Sequence, residues 1–439
     1  MRPPPKSSDQ QGLAARATAL RALELIFFNE QPLYDALEST LGRSDLAPRD
    51  LGFARAIVMT VLRRLGQVDD VIAKFLREPL PARAGPAELI LRIAAAELLF
   101  LEVAPHAAVS SAVALAGADS RARHFKGLIN AVARRLSSEG RHVLEGQDAA
   151  QLNTPAWAWN AWTVTHGEQA ARAMAEAHAN EPPLDISVRG DPHQWAQALD
   201  AELLPTGSLR RAAGGRIENL PGYADGEWWI QDAAAALPVA LLGDVKGMAV
   251  VDLCAAPGGK TAQLAARGAK VTAVDLAFDR MRRVVANLDR LRLKADVEVA
   301  DAHEWRPKTL ADAVLLDAPC TASGTVRRHP DVLWRKDLSD VMAQAELQRR
   351  LLEAAARMVK LEGTLLYCVC SLSSEESEDV VAAFLASHPD FKRMPVTPVD
   401  VAGEAQFVTP IGDLRTLPSH WPGRGGLDGF YACRLRRTA

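Results

Sequence analysis

Cysteines and aromatic residues are scarce in this chain, and acidic and basic residues nearly balance. The 439 residues include 5 cysteines, and aromatic residues make up 5% of the total. An odd number of cysteines without regular spacing argues against a disulfide framework, and the lack of a CxxC pair argues against a zinc site. We therefore expect no metal ion. The net charge of −3 gives no overall signal for nucleic-acid binding, so such binding would require local basic patches.

Long apolar segments are also missing. Residues Met1 to Ser8 lack the apolar core of a secretory signal. The most apolar region, Leu89 to Ala118, is interrupted by charged residues and a proline, which is incompatible with a membrane span. We expect a cytoplasmic protein with no membrane partner. The length of the chain suggests roughly three domains.

One stretch, Val250 to Thr261, has the pattern of a strand, a glycine turn and the start of a helix. Its apolar start predicts a buried parallel strand over 248–253. Gly258 and Gly259 allow the backbone to approach a ligand closely, and the first N–H groups of the helix would face that ligand. Such a corner holds a nucleotide-like cofactor at the carboxyl edge of a parallel sheet. The alternative is an apolar strand followed by an ordinary glycine turn.

The spacing of this corner excludes two familiar phosphate-binding motifs. A phosphate-binding loop needs a glycine where the chain has Cys254, and the three-glycine fingerprint of dinucleotide-binding proteins is absent. A second strand, predicted over 269–274, leads to Asp275, and a carboxylate at this point suits the two hydroxyl groups of a ribose. The pattern therefore favours a cofactor with adenosine but no pyrophosphate, and S-adenosylmethionine fits that description.

The first part of the chain predicts an all-helical domain over residues 1–140. Apolar residues recur at helical spacing between 12 and 136, and prolines divide this region into about six helices. Its last part is rich in basic residues, including Lys126, which on a helix could lie along a phosphate backbone. A solvated basic face is the alternative. The polar segment 137–153 is predicted to be a linker.

The rest of the chain predicts two further domains. Residues 154–235 suggest a small α/β module, with a strand at Leu184 to Val188 and a helix at about 193–203. Strands and helices alternate over 236–439, which predicts a Rossmann-like domain with a parallel sheet covered on both faces. The predicted strands are 248–253, 269–274, 295–299, 313–317, 363–369 and 429–436. The predicted helices are 261–267, 278–292, 339–359 and 375–387.

Two more strand ends carry residues that are suited to chemistry. Asp317 ends one predicted strand and Cys320 follows it, and Cys370 follows another strand. Because parallel strands end at one edge of the sheet, we expect these residues near the glycine corner, with Asp301 contributing a further carboxylate. A thiolate can add to carbon 6 of a cytosine, which makes carbon 5 nucleophilic toward a methyl donor, and an acid can hold or protonate the ring. Spacing alone does not rank Cys370 above Cys320. The cysteines expected to be buried apolar residues are Cys254, Cys368 and Cys433.

Several segments, in this order, resemble those of the Nop2/Sun RNA (cytosine-5)-methyltransferases. They are Asp252 to Thr261, Asp317 to Gly324, and Cys370-Ser371 followed by Glu375-Glu376. The helical N-terminal region resembles a NusB-like RNA-binding domain. The segments that carry the second resemblance are Pro105 to Ala108 and Lys126 to Asn130, and Gly324 to Asp331 is similar to the bacterial ribosomal branch of the family. Together the resemblances cover nearly the whole chain.

The resemblance implies an activity, a cofactor and roles for individual residues. It implies methylation, dependent on S-adenosylmethionine, of carbon 5 of a cytosine in ribosomal RNA, with 16S rRNA expected. Methylation of tRNA, or a non-catalytic RNA-binding role in ribosome assembly, are the alternatives. Cys370 is implied to be the nucleophile, Cys320 to assist product release and Asp317 to bind the target base. The implied cofactor pocket consists of Cys254, Ala255, Ala256, Pro257, Gly258, Gly259, Lys260, Asp275, Asp301 and Asp317. Departures from the family pattern, which concern loop geometry and RNA contact, are Gly190, Ala300 and Val369.

A basic cluster after Cys320 is predicted to contact RNA phosphates. It consists of Arg327, Arg328, His329, Arg335 and Lys336. Salt bridges to Asp331 and Asp337 are the alternative. Because the target base must reach an enclosed thiol, we expect single-stranded or looped RNA, or a base turned out of its stack. We expect the protein to act as a monomer.

Overall fold

The computed structural model describes residues 8–439 and contains two compact units. One unit comprises the described residues up to Asn160 together with His329–Arg335. The other comprises Ala161–Arg328 and Lys336–Ala439. Within residues 8–439, no helix is long and apolar enough to cross a membrane. The same residues contain no group of three or more side chains that could hold a metal ion.

Helices build most of the first unit and alternate with strands in the second. In chain order they are α1 (Ser8–Phe28), α2 (Leu33–Thr40), α3 (Pro48–Arg63), α4 (Leu65–Phe75), α5 (Ala87–Leu99), α6 (Pro105–Ala118), α7 (Lys126–Glu145), α8 (Ala149–Leu152), α9 (Ala156–His166), α10 (Glu168–His178), α11 (Pro192–Ala198), α12 (Ala233–Ala240), α13 (Gly259–Ala266), α14 (Phe278–Leu291), α15 (Val332–Arg335), α16 (Leu338–Ala356) and α17 (Glu378–Ser387).

The strands all lie in the second unit. They are β1 (Leu184–Val188), β2 (Glu202–Leu203), β3 (Leu209–Arg211), β4 (Trp228–Ile230), β5 (Ala249–Leu253), β6 (Lys270–Asp275), β7 (Asp296–Val299), β8 (Ala311–Asp317), β9 (Val359–Val369), β10 (Phe391–Arg393), β11 (Leu414–Thr416) and β12 (Phe430–Arg437). A short 3₁₀ helix at Ser374–Glu376 lies between β9 and α17.

The first unit is helical, as predicted, and its core follows from apolar residues at helical spacing. On α3, Ile57, Val58 and Val61 are buried on one face. α5 is buried over nearly its whole length and occupies the centre of the unit. Its buried acid Glu97 pairs with Arg16 of α1 at 2.7 Å. Burial raises the pKa of Glu97 to about 7, because Arg16 only partly offsets the loss of water.

A segment that is distant in sequence, His329–Arg335, completes the first unit. Trp334 packs against the apolar core, and its indole N–H donates to the carbonyl oxygen of Leu62 at 3.0 Å. The residue that precedes α2 gives no side-chain cap. Asp331 Oδ2 instead accepts the backbone N–H of Leu33 at 3.1 Å. The segment therefore supplies both core packing and a helix cap.

The prediction of a linker at 137–153 is wrong, because most of this segment is helical. α7 continues to Glu145, and the one-turn helix α8 ends at Leu152. Asn153 Oδ1 accepts the backbone N–H of Gln67 at 3.1 Å. A Cβ atom at Gly66 would lie 1.7 Å from the carbonyl oxygen of Leu152. This close packing holds the segment against α4 despite its polar composition.

A four-stranded antiparallel sheet, in the order β2-β3-β1-β4, forms the small α/β module of the second unit. A buried salt bridge of 2.7 Å between Asp185 and Arg210 joins β1 to β3. β1 lies where a strand is predicted. The helix predicted at about 193–203 is shorter than expected, since α11 ends at Ala198 and Glu202–Leu203 forms the edge strand β2.

The other strands form an eight-stranded sheet in the order β10-β12-β9-β8-β5-β6-β7, with β11 paired to β12. Within the run β9-β8-β5-β6-β7 the strands pair in parallel, whereas β12 pairs antiparallel with β9, β10 and β11. The Rossmann-like fold is confirmed, but the predicted parallel sheet is mixed, because β12 pairs antiparallel with its neighbours. A parallel neighbour needs a crossover, usually helical, and no described α-helix follows α17.

Candidate active site

The glycine corner lies where the strand order of the large sheet reverses. β5 lies between β6 and β8, and the three strands run parallel. The chain continues from β5 to β6 and β7 on one side, and then crosses to β8 and β9 on the other. Open α/β sheets bind their ligands in the crevice that such a reversal leaves outside the carboxyl ends of the strands.

Two residues give this corner its shape. Cys254 has φ 58° directly after β5, and Gly258 has φ 99° directly before α13. This left-handed region favours glycine. A Cβ atom at Gly258 would also lie 3.2 Å from Val284 Cγ1 on α14. α13 therefore begins close against the corner, and the N–H groups of its first turn have no partner within the helix.

Two of the predicted acidic residues stand at neighbouring strand ends. Asp275 ends β6, is buried, and accepts the backbone N–H groups of Ala256 and Ala277 at 3.2 and 3.0 Å. The backbone N–H of Ala300 donates to the carbonyl oxygen of Asp275 at 3.1 Å, which brings the exposed Asp301 next to it. Asp275 thus fixes the corner, and each carboxylate keeps acceptor sites for a ligand.

Asp252 lies beneath the corner and is fully buried. Its Oδ2 accepts the hydroxyl group of Thr261 at 2.5 Å, which ties the end of β5 to α13. Its Oδ1 has no hydrogen-bond partner among the described residues. Burial raises the pKa of Asp252 to about 7. The buried carboxyl group of Asp252 is therefore expected to titrate near neutral pH.

Lys260 and Asp317 form an ion pair at the centre of the site. Lys260 Nζ donates to Asp317 Oδ2 at 2.7 Å, and Cys368 Sγ lies 3.5 Å from Asp317 Oδ1. The same ammonium group lies 4.6 Å from the ring centre of Phe430. Burial is the largest single effect and opposes the charged form of Lys260, but Asp317 together with the neighbouring thiols of Cys368 and Cys370 outweighs it, so the pKa of Lys260 is raised. The ion pair therefore links the start of α13 to the end of β8.

Cys320 and Cys370 face each other at this edge of the sheet, with their Sγ atoms 3.4 Å apart. The hydrogen bond with Cys370, followed by burial, raises the pKa of Cys320 well above its ordinary value. Either thiol can donate in the contact between the two sulfurs.

The other three cysteines lie in packed surroundings. Cys368 and Cys433 are fully buried, and Cys254 is partly exposed at the corner. Burial raises the pKa of all three thiols, which disfavours the reactive thiolate. Cys254 contributes to the corner through its backbone conformation.

The structure corrects the prediction that Arg327 contacts RNA phosphates. Its side chain is only 1% exposed, because it bridges Asp232 at 2.9 Å and Asp428 at 3.1 Å. Arg328 also pairs with Asp428 but remains one-third exposed. The basic cluster therefore contains buried structural charges, and the predicted alternative of salt bridges describes Arg327 better, although with other acidic partners.

Of the other predicted RNA-contact residues, Lys336 lies in the second unit and pairs with Asp340 at 2.9 Å, whereas His329, Arg335 and Lys126 lie in the first unit. Arg335 pairs with Asp331 at 3.2 Å, as the salt-bridge alternative expects. The ring of His329 lies 5.1 Å from that of Tyr34. Lys126 is exposed at the start of α7, so its ammonium group is accessible to a phosphate.

Sequence reasoning missed three features of this site. It did not predict the pairing of Lys260 with Asp317 or the aromatic contact of Phe430. It also gave no role to Glu376, which accepts hydrogen bonds from the segments that follow both cysteines. The only signal was the Glu375-Glu376 pair in the family resemblance, and the contacts join residues too far apart in sequence to be read from spacing.

Taken together, the fold and the donor set define a Rossmann-like methyltransferase domain that uses S-adenosylmethionine. The donors fit this cofactor, because Asp275 suits ribose hydroxyls and Lys260 is bound to Asp317 rather than available for a pyrophosphate. Residues 239–436 match the family model described as 16S rRNA methyltransferase RsmB/F, and residues 13–138 match the NusB family. The chain belongs to the RsmB/F family of 16S rRNA methyltransferases and carries a NusB-type helical domain.

Individual relatives align over almost the full length of the chain. The ribosomal RNA small subunit methyltransferase B of Cronobacter sakazakii is 34% identical, over 97% of this chain and 99% of that protein. The protein of the same name from Vibrio cholerae is 31% identical, over 96% and 97%. The crystal structure of PH0851 has the same fold with a TM-score of 0.76 and 24% identity, over 97% of this chain and 98% of that one.

A second solved structure matches a smaller part of the chain. NSun6 from Pyrococcus horikoshii, solved with SFG, gives a TM-score of 0.54 with 18% identity, over 65% of this chain and 98% of that one. At this identity the likeness concerns the fold. The membership of the chain in an RNA methyltransferase family therefore rests on the family model and on the full-length relatives.

Proposed function

We propose that this RNA methyltransferase modifies carbon 5 of a cytosine in 16S ribosomal RNA through a covalent bond between Cys370 and the base. The observation that carries the proposal is the pair of thiols, Cys320 and Cys370, 3.4 Å apart beside the ion pair of Lys260 and Asp317. Carbon 5 of cytosine is not nucleophilic by itself, so its methylation needs such a thiol, whereas methylation of a ring nitrogen does not.

The reaction begins at Cys370. Its thiolate bonds to carbon 6 of the cytosine, and the displaced electron pair makes carbon 5 the nucleophile. When bound, S-adenosylmethionine supplies an electrophilic methyl group. After carbon 5 has gained this methyl group, a base removes the hydrogen of carbon 5, and elimination breaks the bond between carbon 6 and Cys370. Cys320 holds a proton directly beside the departing sulfur, which suits a role in product release.

Asp317 is proposed to hold the target base. One of its oxygens accepts from Lys260, and the other faces the thiol of Cys368. A carboxylate oxygen has two acceptor sites, so Asp317 can accept a further hydrogen bond from the base without losing Lys260. The Lys260 ammonium group keeps this carboxylate oriented and offers positive charge next to the thiols.

The predicted cofactor pocket joins three strand ends. The segment Cys254 to Lys260 forms the corner, Asp275 is proposed to accept the ribose hydroxyls, and Asp301 is proposed to accept the adenine amino group. The RNA must present an unstacked cytosine, because the sulfur of Cys370 lies in a partly enclosed site. We keep Lys126 as a proposed phosphate contact. We also propose that the protein acts in the cytoplasm.

Two cysteine variants test the proposed function directly. Cys370→Ala is expected to abolish methyl transfer to unmodified 16S rRNA while cofactor binding, measured by calorimetry, remains intact. Cys320→Ala is expected to accumulate a covalent RNA adduct that is visible on denaturing gels. Cys433→Ala, a buried cysteine outside the site, serves as the control and is expected to turn over normally. Normal turnover by Cys370→Ala would disprove the proposal, and an adduct in Cys370→Ala would reverse the two roles.

A further inference from the structure

We propose that Glu376 is a positioning residue that maintains the register of Cys320 and Cys370, that is, their relative position. It does so by accepting hydrogen bonds from the residue that follows each cysteine. The inference deepens the proposed function, because the register matters for the two thiol roles assigned there. Glu376 lies in the 3₁₀ helix at Ser374–Glu376 and is fully buried. Its carboxylate accepts hydrogen bonds from their neighbours Thr321 and Ser371.

The first set of hydrogen bonds holds the segment that carries Cys320. Glu376 Oε1 accepts the backbone N–H of Thr321 at 2.8 Å, and Oε2 accepts the hydroxyl group of Thr321 at 2.5 Å. Gln348 of α16 joins Glu376 to the residue before Cys320. Its amide N–H₂ group donates to Glu376 Oε1 at 3.2 Å and to the carbonyl oxygen of Pro319 at 2.9 Å. The residues on both sides of Cys320 are therefore fixed to one frame.

A second hydrogen bond of the carboxylate holds the segment that carries Cys370. Glu376 Oε2 accepts the hydroxyl group of Ser371 at 2.5 Å. The same hydroxyl oxygen accepts the backbone N–H of Ser373 at 3.2 Å, so the turn after the strand is closed around it. The phenol O–H of Tyr367, on β9, donates to the backbone carbonyl oxygen of Glu376 at 2.6 Å. Glu376 is thereby anchored to the strand that leads to Cys370.

One carboxylate thus accepts four donors that belong to three separate segments. Two loops that carry reacting groups normally fluctuate independently, and a common buried acceptor makes their relative displacement costly, because it leaves polar groups unpaired. The 3.4 Å separation of the two sulfurs is the quantity that this arrangement controls. Misplacement by about 1 Å at reacting atoms typically costs roughly 100-fold in rate.

A conservative variant separates geometry from charge. In Glu376→Gln the amide oxygen can accept from Thr321 and Gln348, and the amide N–H₂ group can donate to the two hydroxyl oxygens, which accept as well as donate. Burial raises the pKa of Glu376, which is consistent with a site that tolerates the neutral form. We expect Glu376→Gln to keep most activity. In Glu376→Ala we expect kcat to fall by roughly 100-fold with little change in KM for S-adenosylmethionine.

Two variants each weaken the hydrogen bonds of Glu376 to one of the two segments, and they are expected to have opposite effects on the covalent RNA adduct. Ser371→Ala removes the bond between the Cys370 segment and Glu376, together with the 3.3 Å contact of Ser371 Oγ with Ser323 Oγ, and is expected to slow formation of the covalent adduct. Thr321→Val loosens only the Cys320 segment and is expected to let the adduct form but to slow its release, so that adduct accumulates on denaturing gels. A residue that served only stability would lower the amount of folded enzyme in both variants and would not divide the two steps.

The register itself can be measured without RNA. Diamide oxidises two neighbouring thiols to a disulfide and is itself reduced to the hydrazine, and peptide mapping by mass spectrometry gives the rate at which the Cys320–Cys370 disulfide forms. We expect this rate to change by roughly tenfold in Glu376→Ala and to stay near the wild-type value in Glu376→Gln. Glu346→Gln, an exposed glutamate of α16 that is 63% accessible, is the matched control.

The outcomes distinguish this inference from the proposed function. Equal disulfide rates in the wild type, Glu376→Ala, Ser371→Ala and Thr321→Val, with all variants folded by circular dichroism, would overturn the positioning role even if Cys370 is the nucleophile. If the rates change as expected but Cys370→Ala still methylates RNA, the proposed function fails and the positioning role of Glu376 stands.

Discussion

Lys260 Nζ lies 2.7 Å from Asp317 Oδ2, and this bond joins the helix that begins at the glycine corner to the strand that leads to Cys320. The cofactor side and the base side of the site therefore share one ion pair. Neither residue is placed for this by local sequence, since 57 positions separate them.

The ion pair gives the first prediction. Lys260→Met removes the ammonium group and keeps the length of the side chain, so Asp317 loses its charged donor and its orientation. Loss of a hydrogen bond to a charged group costs about 1.5–3 kcal/mol, so we expect kcat to fall by roughly 10- to 100-fold. Steady-state methyl transfer measures this, with Lys270→Met, an exposed lysine of β6, as the control. Wild-type kcat in Lys260→Met would contradict the assignment.

The second prediction concerns the cofactor. Asp275→Ala removes a carboxylate that accepts the backbone N–H groups of Ala256 and Ala277, so the corner loses its support together with the proposed ribose contact. We expect the affinity for S-adenosylhomocysteine, measured by calorimetry, to fall by roughly tenfold or more. Asp279→Ala, an exposed acid on α14, is the control. Unchanged affinity in Asp275→Ala would place the ribose elsewhere.

The third prediction is a pH dependence of stability that comes from Asp252. Because burial raises the pKa of Asp252 to about 7, the folded protein keeps this proton after the unfolded chain has lost it at about pH 4. Its contribution to stability is complete below about pH 4 and is lost as the pH rises through about 7. In Asp252→Asn this loss is absent, so the melting temperature of the variant should rise relative to the wild type between pH 5 and about pH 8.

Thermal melts across this pH range measure the difference between the two proteins. Asp279→Asn, at an exposed position of α14, is the control variant in the same melts. If Asp252→Asn behaves in the same way as this control, Asp252 does not titrate in the expected range.

The fourth prediction separates structural from RNA-binding charges. Arg327→Met leaves Asp232 buried without its ion-pair partner and Asp428 paired with Arg328 alone, and should destabilise the second unit by about 3–5 kcal/mol in denaturant unfolding. Lys126→Ala should leave stability unchanged but weaken RNA binding and reduce its salt dependence by roughly one phosphate contact. Filter binding at several salt concentrations tests the second part. A stable Arg327→Met with weaker RNA binding would restore the sequence-based prediction for Arg327.

The fifth prediction tests the cap of α2. Asp331→Ala removes the acceptor for the backbone N–H of Leu33 and should destabilise the first unit by about 1 kcal/mol, with faster hydrogen exchange in the first turn of α2. Asp331→Asn keeps an acceptor oxygen and should exchange nearly as the wild type does. Equal protection in Asp331→Ala would show that another group caps the helix.

Local patterns in the sequence predicted much of the fold. The glycine corner, five strands from β5 to β9 and the helices between them follow from apolar runs and glycine spacing, with bounds shifted by a few residues. β10 and β11 are only three residues long, too short for a pattern to show. The segment 137–153 failed because its polar composition suggested a linker, whereas its packing against α4 depends on Gly66 far upstream.

The candidate site divides along the same line. Cys320, Cys370 and Asp317 could be singled out because each lies at the end of a predicted strand or shortly after it. Arg327 could not be assigned correctly, since its acidic partners Asp232 and Asp428 lie 95 and 101 positions away and only the tertiary fold makes it buried. Charge in a sequence does not reveal whether a side chain faces water or another charge.

The membership of His329–Arg335 in the first unit has a consequence for biosynthesis. A ribosome makes the helices α1 to α8 early. Trp334 and Asp331, which caps α2, emerge only after β8 and the loop that carries Cys320 have been translated. Vectorial synthesis therefore cannot finish one domain before it starts the next, and a fragment truncated at position 160 lacks a piece of its own interior.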